Sequence, residues 1–355
     1  MENIAYLMLG LPQDYEQTCY KEGAIARRRG VTSPANLMML VMFHLQNGCS
    51  LLEISEVARL TKLGNMSDVA FMKRFEKCGN WFKRINEEIA AECLVEYKKP
   101  LWLEGKTLVG ADASDVVEKG RSGRTYRLHY ALDIFRMTSI EQKITTNKIG
   151  ESLCNFSLQP KYVVVADRGY ATIKGMAHCV ECGAEYIIRL RKNSFTVRDE
   201  ANKKVDLPAE LAKLKDGEYL DFPAFASNSE GARIPMRVCA TRKTPEAITQ
   251  TRKKLRRQEV RKQSEISDEA KSFNEYIVVV TNLNGSVSAK EVLETYRLRW
   301  QVEIYFKRLK SIMDFGEMPK RRPDSVIAWL NGKMMIALLV EAAIARLSFS
   351  PAEQN

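Results

Sequence analysis

Four polar residues in the last quarter of the sequence, Tyr296, Arg299, Glu303 and Lys310, follow a spacing that a helix would bring to one side. At about 100° per residue they stand at roughly 0°, −60°, −20° and −40° around the helix axis. Arginine and lysine suit a phosphate, and glutamate suits a hard metal ion. The stripe therefore predicts a helix that holds a phosphate and a cation side by side.

The helix that must position these residues begins at Ser288-Ala-Lys-Glu291, where Ser and Glu have the spacing of a capping box. We predict that it runs to about Phe315, just before Gly316. Apolar residues on the opposite side predict a buried face. They are Leu298, Val302, Tyr305, Phe306, Leu309 and Ile312. An ordinary amphipathic helix with a solvated charged side would look similar, so the stripe alone leaves both interpretations open.

The balance of charges favours a polyanionic partner. The chain has 355 residues, with 55 Lys and Arg against 44 Asp and Glu, so its formal net charge is +11. Such an excess indicates nucleic acid or an acidic membrane. Three histidines leave little room for chemistry centred on histidine. The sequence has neither a P-loop nor a G-x-G-x-x-G segment, which argues against an ATPase or a dinucleotide enzyme.

The sequence predicts a cytoplasmic protein. Its first residues show no charged segment followed by an apolar run, so no secretory signal is expected. The eight cysteines lack the spacing of a disulfide framework and predict reduced thiols, and His178-Cys-x-x-Cys182 is interpreted as ordinary helix residues. The apolar stretch 325–348 contains residues such as Asn331 and Lys333 that are costly in a bilayer. We predict that this stretch is a buried or oligomer-forming helix, with no membrane contact.

Residues 1–95 are predicted to be helical. Ser33-Pro34 is typical of a helix start, and Ser50-Leu-Leu-Glu53 forms a second capping box. A turn at 64–67 leads to a further helix at 68–78. Two short helices with a tight turn between them indicate either a helix-turn-helix that reads DNA or a small bundle that only packs. The sequence leaves both open.

From residue 106 the pattern changes to strands, and two of these lead into aspartates. Residues 107–111 are apolar and end at Asp112, and residues 162–166 run into Asp167. Further strands are predicted at 127–135, 138–145, 185–190 and 276–281. Helices are predicted at 172–182 and at 251–270, the second crowded with basic side chains that are usually solvated and could also touch phosphate. Strands with helices alternating late are typical of an α/β or mixed sheet.

The spacing of the four polar residues, Y-x2-R-x3-E-x6-K, resembles the signature of one group of DDE transposases, the insertion-sequence-four type of bacteria. Trp300, directly after the arginine, is also similar to the pattern of that family. The segment Asp-Arg-Gly-Tyr at 167–170 resembles what this group shows at the second of its two strand-end aspartates. The resemblance covers about residues 27–345 and therefore most of the chain.

The resemblance implies a metal site made of three carboxylates. Asp112, Asp167 and Glu303 would bind Mg²⁺, with Mn²⁺ as a substitute. Mg²⁺ prefers oxygen ligands and keeps several waters, so few protein ligands are needed. Two such ions can activate the attacking oxygen and stabilise the leaving one. The resemblance further implies that the phosphates of the DNA end are held by Tyr296, Arg299, Trp300 and Lys310.

Three other aspartates compete for the role of metal ligand. Asp115 lies three residues beyond Asp112 and is the second choice. Asp133 lies inside a predicted strand and is interpreted as structural. Asp314 lies eleven residues after Glu303, about 16 Å along a helix, so it could not share the ion that Glu303 binds.

The resemblance implies an α/β fold with an RNase H-like mixed-sheet catalytic core, a β-rich insertion and a helical region in front. We place the helical DNA-binding region at 1–100 and the first part of the core at 101–194. The insertion is placed at 195–250. The second part of the core, with the glutamate helix, is placed at 251–323, and the apolar helix at 324–355.

The activity implied by the resemblance is DNA transposition. Such an enzyme hydrolyses a strand at the transposon end and attacks DNA with the freed 3′-hydroxyl, as a cut-and-paste reaction that typically passes through a hairpin intermediate. Its partners would be double-stranded DNA, namely terminal inverted repeats and target DNA, and a second copy of the chain in a homodimer. Two alternatives stay open. One is an RNase H-like nuclease that cuts without joining, and the other is a non-catalytic DNA-binding protein derived from a transposase.

Overall fold

One mixed β-sheet runs through the middle of the chain in the computed structural model, which describes residues 2–92, 99–118, 124–136, 138–227, 233–303, 317–318 and 322–348. Within these ranges the sheet has ten strands. They are β1 (Thr107–Glu118), β2 (Arg124–Asp133), β3 (Thr138–Thr146), β4 (Tyr162–Ala166), β5 (Glu185–Arg189), β6 (Thr196–Arg198), β7 (Tyr219–Ser227), β8 (Arg233–Arg242), β9 (Tyr276–Thr281) and β10 (Glu317–Met318).

The strand order is β3-β2-β1-β4-β5-β9-β8-β7-β6, and β10 pairs with β1 away from this path. Strands β1, β2 and β3 form an antiparallel meander, while β4 and β5 run parallel to β1. From β5 onward the neighbours are antiparallel. This mixed α/β arrangement agrees with the RNase H-like core that was expected. The β-rich segment extends the same sheet through β6, β7 and β8, and the division of the chain into five domains stays a prediction.

Helices cover the sheet and build the N-terminal region. Their bounds are α1 (Glu2–Met8), α2 (Tyr15–Lys21), α3 (Pro34–Asn47), α4 (Leu51–Leu60), α5 (Asp68–Glu76), α6 (Gly79–Glu92), α7 (Ile173–Glu181), α8 (Leu207–Ala212), α9 (Pro245–Lys262), α10 (Asp268–Phe273), α11 (Ala289–Arg297) and α12 (Pro323–Ser348). The predicted caps are confirmed, because the hydroxyls of Ser33, Ser50 and Ser288 each accept a hydrogen bond from a backbone N–H three residues on.

The apolar helix α12 is buried, as predicted, against the N-terminal helices α3, α5 and α6. The Asn86 side chain donates to the carbonyl of Asn331, and Asn331 donates to the carbonyl of Gly79. Gly332 lies so close to Leu45 and Phe82 that a larger side chain would collide with them. None of the helices in the described ranges combines the length and hydrophobicity that a membrane-spanning segment needs.

Two hydrophobic cores lie on opposite faces of the sheet. Along β4, Val163 and Val165 belong to the core shared with the N-terminal helices, α11 and α12, whereas Val164 and Ala166 belong to the core under α7, α8 and α10. This alternation is the two-residue period of a strand that is buried on both faces.

The prediction of one long helix from Ser288 to Phe315 is wrong. Helix α11 ends at Arg297, and Leu298 and Arg299 form a turn before a helical segment begins again at Trp300. The backbone N–H groups of Leu298, Arg299 and Val302 each bond to the carbonyl three residues earlier, at 3.0 Å. This tight hydrogen bonding interrupts the α-helical period, so angles based on 100° per residue do not carry across the break.

In two other predicted elements the difference in bounds has a clear structural cause. The charged helix expected at 251–270 is α9 followed by α10, because Gln263 takes a left-handed conformation (φ 48°) that ends α9. The strand expected to end at Asp112 continues to Glu118, because the antiparallel partner β2 goes on pairing with it. The predicted bounds of β4 and β9 are confirmed without change.

Candidate active site

Asp112 and Asp167 occupy equivalent positions on neighbouring strands. The parallel pairing of β1 with β4 ends at Ala111 and Ala166; Asp112 is the next residue of β1, and Asp167 directly follows the end of β4. Because side chains alternate along a strand, both carboxylates lie on the face that carries Val163 and Val165. The sheet therefore brings together two acidic groups that are 55 residues apart in the sequence.

Asp112 is partly buried, and this changes its acidity. Burial raises the pKa of Asp112 from 3.8 to about 6, and Glu151 and Asp167 add to the increase. Arg299 and the backbone N–H of Ala113, which donates to Oδ1 at 2.8 Å, act in the opposite direction. A cation close to this carboxyl group would favour its ionised form and lower its pKa.

A chain of contacts leads from Asp167 to Glu303. The hydroxyl of Tyr296 donates to Oδ1 of Asp167 at 3.4 Å, and burial raises the pKa of this tyrosine. The guanidinium carbon of Arg299 lies 5.9 Å from the centre of the Tyr296 ring. Arg299 in turn donates to Oε1 of Glu303 at 2.6 Å. The turn at Leu298 and Arg299 is thus compatible with the predicted grouping of tyrosine, arginine and glutamate.

The exposure of these side chains separates them into two kinds. The side chain of Arg299 is 11% exposed, whereas that of Glu303 is 49% exposed. Trp300 is 55% exposed and therefore faces solvent. Within the described ranges, no three side chains of His, Cys, Asp or Glu are close enough to enclose an ion as they stand. Glu303 would have to turn from Arg299 toward the two aspartates to complete such a site.

The competing aspartates have structural partners or lie outside the described residues. Asp115 accepts a hydrogen bond from Arg127 at 2.9 Å. Asp133 is buried and its Oδ1 accepts from the backbone N–H groups of Phe135 and Arg136, so its structural role is confirmed. Lys310 and Asp314 lie outside the described residues.

Two residues near the aspartates were not anticipated from the sequence. Glu151 lies against Gly169, where an added Cβ atom would collide with its carboxylate, and it also acts on the pKa of Asp112. Tyr170 is buried, and its hydroxyl has no hydrogen-bond partner among the described residues. The sequence signal for both residues is Gly169-Tyr170, two residues after Asp167, because a glycine leaves space for a neighbouring group.

Comparison with known proteins places these residues in a family. A family model described as a transposase DDE domain matches residues 110–339, more than half of the chain, and this match spans both aspartates and Glu303. The chain is 26% identical over 351 residues to the transposase for insertion sequence element IS421 of Escherichia coli, which covers 97% of this chain and 94% of the relative. It is also 26% identical over 350 residues, with the same coverage, to the InsL protein of insertion sequence element IS186A of Escherichia coli strain K12.

A more distant similarity covers part of the chain. The transposase for insertion sequence element IS231B of Bacillus thuringiensis subsp. berliner is 24% identical over 210 residues, which is 55% of this chain and 44% of the relative. The family match and the relatives similar over nearly the whole length agree with the resemblance carried by the Tyr-Arg-Glu-Lys spacing. The chain therefore belongs to the DDE-domain transposases of insertion sequences.

Proposed function

We propose that the chain cleaves DNA at the ends of its insertion sequence and joins the freed 3′-hydroxyl to target DNA, with Asp112, Asp167 and Glu303 as the metal-binding residues. One observation carries this proposal. The two aspartates follow the last paired residues of adjacent parallel strands, and Tyr296 and Arg299 link Asp167 to Glu303. This arrangement supports a site in which acidic groups and groups suited to phosphate lie at one edge of the sheet.

The donor set suits a hard divalent cation such as Mg²⁺, or Mn²⁺ in its place, because all three groups are carboxylates. The hydroxyl of Tyr170 adds a further argument. It is buried without a partner in the described ranges, and Asp112, Glu151 and Asp167 all raise its pKa after burial does. A water molecule or phosphate oxygen that enters the site would give it an acceptor. The cation, when bound, would activate the attacking oxygen and stabilise the leaving one.

The basic and aromatic side chains would position the DNA. Arg299 is held between the ring of Tyr296 and the carboxylate of Glu303, so its guanidinium is oriented before a phosphate arrives. If Glu303 bound a cation instead, the Nη2 donor of Arg299 would be free to bind a phosphate oxygen. Trp300 directly follows Arg299, and its exposed ring could contact the same DNA strand. Lys310 would supply a second cation.

The proposal extends to the course of the reaction. We expect a cut-and-paste reaction through a hairpin intermediate on terminal inverted repeats, carried out by a homodimer on the DNA of a bacterial nucleoid. The net charge of +11 favours a protein that stays on DNA between the two steps. The helical region at 1–100 would recognise the repeat sequence.

The test is to incubate the purified chain with Mg²⁺ and DNA that carries the flanking terminal repeats. We expect cleavage at the repeat end, followed by joined products when target DNA is added. Asp112→Asn is the matched control, because it keeps the shape of the side chain and removes its charge. Cleavage without joining would identify a nuclease, and binding without cleavage would identify a non-catalytic DNA-binding protein. Either result would overturn the proposal.

A further inference from the structure

Helix α9 has a composition that packing does not explain. It has 18 residues, so it is about 27 Å long at 1.5 Å per residue. Ile248 is its one buried residue. Its basic residues are Arg252, Lys253, Lys254, Arg256, Arg257, Arg261 and Lys262, and its acidic residues are Glu246 and Glu259. A helix that is polar on nearly all sides gains little stability from packing against the core. The exposed basic surface of α9 therefore needs another explanation.

The sheet places the start of α9 at the edge that carries the active site. Strand β5 runs parallel to β4, so Arg189 at its end lies at the same edge as Asp167. Strand β9 is antiparallel to β5, and its first residue, Tyr276, pairs with Arg242 at the end of β8. Helix α9 begins three residues after Arg242. A path from Asp167 to α9 therefore crosses only strand ends at one edge of the sheet.

Cations occupy this path. The ammonium group of Lys243 is partly buried and donates to Oγ1 of Thr251 and to the carbonyl of Asn274. Burial lowers the pKa of Lys243 to about 8, and Arg189, Arg168 and Lys254 lower it as well. Arg168 follows Asp167, Arg189 ends β5, and Lys254 lies three residues after Thr251 on α9, so these cations extend from the segment after Asp167 to the first turns of α9.

The carboxylate of Glu275, which lies next to the start of α9, is already paired with cations. Glu275 forms ion pairs with Arg242 at 3.8 Å and with Arg252 at 2.5 Å. In the described part of the chain, no carboxylate lies within 4.0 Å of the side-chain nitrogens of Arg168, Arg189 or Lys254. The surface thus has a surplus of positive charge that continues from the catalytic edge along α9.

We propose that α9, together with Arg168 and Arg189, binds the phosphate backbone of the DNA duplex that leads into the active site. The inference rests on the proposed function and adds to it the surface that holds the substrate. It is supported by the charge complementarity between α9 and the DNA backbone, and by the continuity of this basic surface with the active site. A helix of about 27 Å spans the length of roughly eight base pairs of duplex, at about 3.4 Å each along the duplex axis.

The test compares two double variants with the same loss of charge. Arg256→Gln with Arg257→Gln alters α9, and Lys161→Gln with Lys290→Gln removes two cations near the opposite edge of the sheet. All four residues are exposed, so both variants should stay folded, which circular dichroism checks. Affinity for a terminal-repeat duplex is measured without divalent ions, at salt concentrations from 0.05 to about 0.5 M, the range over which phosphate contacts weaken.

For the α9 variant we expect the slope of log K against log salt to become shallower by about 2, close to 0.9 for each lost phosphate contact. Affinity at about 0.1 M salt should fall roughly tenfold or more. The control variant should bind like the wild type. An α9 variant that matches the control in slope and affinity would overturn the inference, and if the wild type still cleaved the repeat DNA, the proposed function would stand.

Two further outcomes are distinguishable. Wild-type protein that neither binds nor cleaves the repeat DNA would refute the proposed function itself. Vesicles of phosphatidylserine provide the second comparison. If the α9 variant lost binding to these vesicles and kept full affinity for DNA, the basic helix would serve an acidic lipid surface, and the inference would be wrong.

Discussion

Gly110 and Val302 are in direct contact, and the contact leaves no space for a side chain at residue 110. A Cβ atom there would collide with Cγ2 of Val302, which is fully buried, and would also crowd Ile134. Gly110 and Asp112 lie on the same face of β1, and Val302 directly precedes Glu303. This contact therefore sets how closely the helical segment with Glu303 can approach the strand with Asp112.

We expect Gly110→Ala to increase the distance between the carboxylates of Asp112 and Glu303. Overpacking of this kind costs about 1–3 kcal/mol, and part of the strain should be relieved by movement of Val302 and with it Glu303. We expect cleavage of repeat DNA to fall by roughly tenfold or more, because small misplacements at a reacting centre have large effects, while DNA affinity changes little. Cleavage and urea unfolding are measured in parallel.

Val302→Ala in the same chain is the control for that prediction. The smaller side chain makes room for the new methyl group, so the double variant should recover part of the lost activity and stability. A Gly110→Ala protein that cleaves at the wild-type rate would show that the contact does not position Glu303.

The three proposed ligands should be separable from DNA binding. Asp112→Asn, Asp167→Asn and Glu303→Gln should each abolish cleavage and leave affinity for repeat DNA intact, because the phosphate contacts are made by other residues. Mg²⁺ or Mn²⁺ should raise the melting temperature of the wild type, since an ion that binds the folded state stabilises it. The increase should be smaller in each variant. If one of the three cleaved DNA normally, its assignment would be wrong.

Arg299 should be needed for its geometry as well as its charge. Arg299→Lys keeps the cation but loses the planar pair of donors, so cleavage should drop markedly. Arg299→Ala should reduce it further, because Glu303 then also loses its partner. Cleavage rates are compared, with circular dichroism as the folding control. Full activity in Arg299→Ala would mean that this side chain is only a solvated charge.

Tyr170→Phe should affect activity and stability in opposite directions. The buried hydroxyl of Tyr170 has no partner among the residues that the structure describes, so its removal should leave the free energy of unfolding unchanged or raise it by about 1 kcal/mol. Cleavage, and the stabilisation by Mn²⁺, should decrease if the hydroxyl binds an oxygen in the loaded site. Loss of activity together with an equal loss of stability would instead indicate a purely structural role.

Acid should weaken the fold through His129. This buried imidazole is bonded at Nε2 to Oγ1 of Thr145 (2.9 Å) and at Nδ1 to the amide of Asn155 (3.3 Å), which suits the neutral form. Burial lowers the pKa of His129 to about 4, and Arg127 and Lys143 contribute. Because the unfolded pKa is about 6.5, the folded state binds the proton more weakly. The contribution of His129 is therefore complete above about pH 6.5 and is lost as the pH falls toward 4.

The loss should reach about 3 kcal/mol at pH 4, from the difference between the two pKa values. Urea unfolding at several pH values between 7 and 4 measures it. His129→Gln is the comparison, because it removes the titrating group. The slope of its unfolding free energy against pH should be smaller than that of the wild type by an amount that corresponds to about one proton. If the unfolding free energies of the wild type and His129→Gln differed by a constant amount over this pH range, the predicted role of His129 would be wrong.

The sequence by itself determined the features that depend on near neighbours in the chain. Helix starts at Ser50 and Ser288 follow from two residues three positions apart, and both capping boxes are present in the structure. The strands β4 and β9 are short apolar runs bounded by polar residues, and their predicted bounds are unchanged. The family followed from a fixed spacing of four residues, which needs no knowledge of the fold.

Tertiary structure decided what depends on partners far away in the chain. The length of β1 beyond Asp112 depends on pairing with β2, and the turn at Leu298 and Arg299 occurs where Val302 must fit against Gly110. The position of Glu151 beside Gly169 depends on the path of the chain between β3 and β4. Local periodicity cannot predict these contacts. Each depends on packing between segments that are far apart in the sequence and that come together only when the sheet has formed.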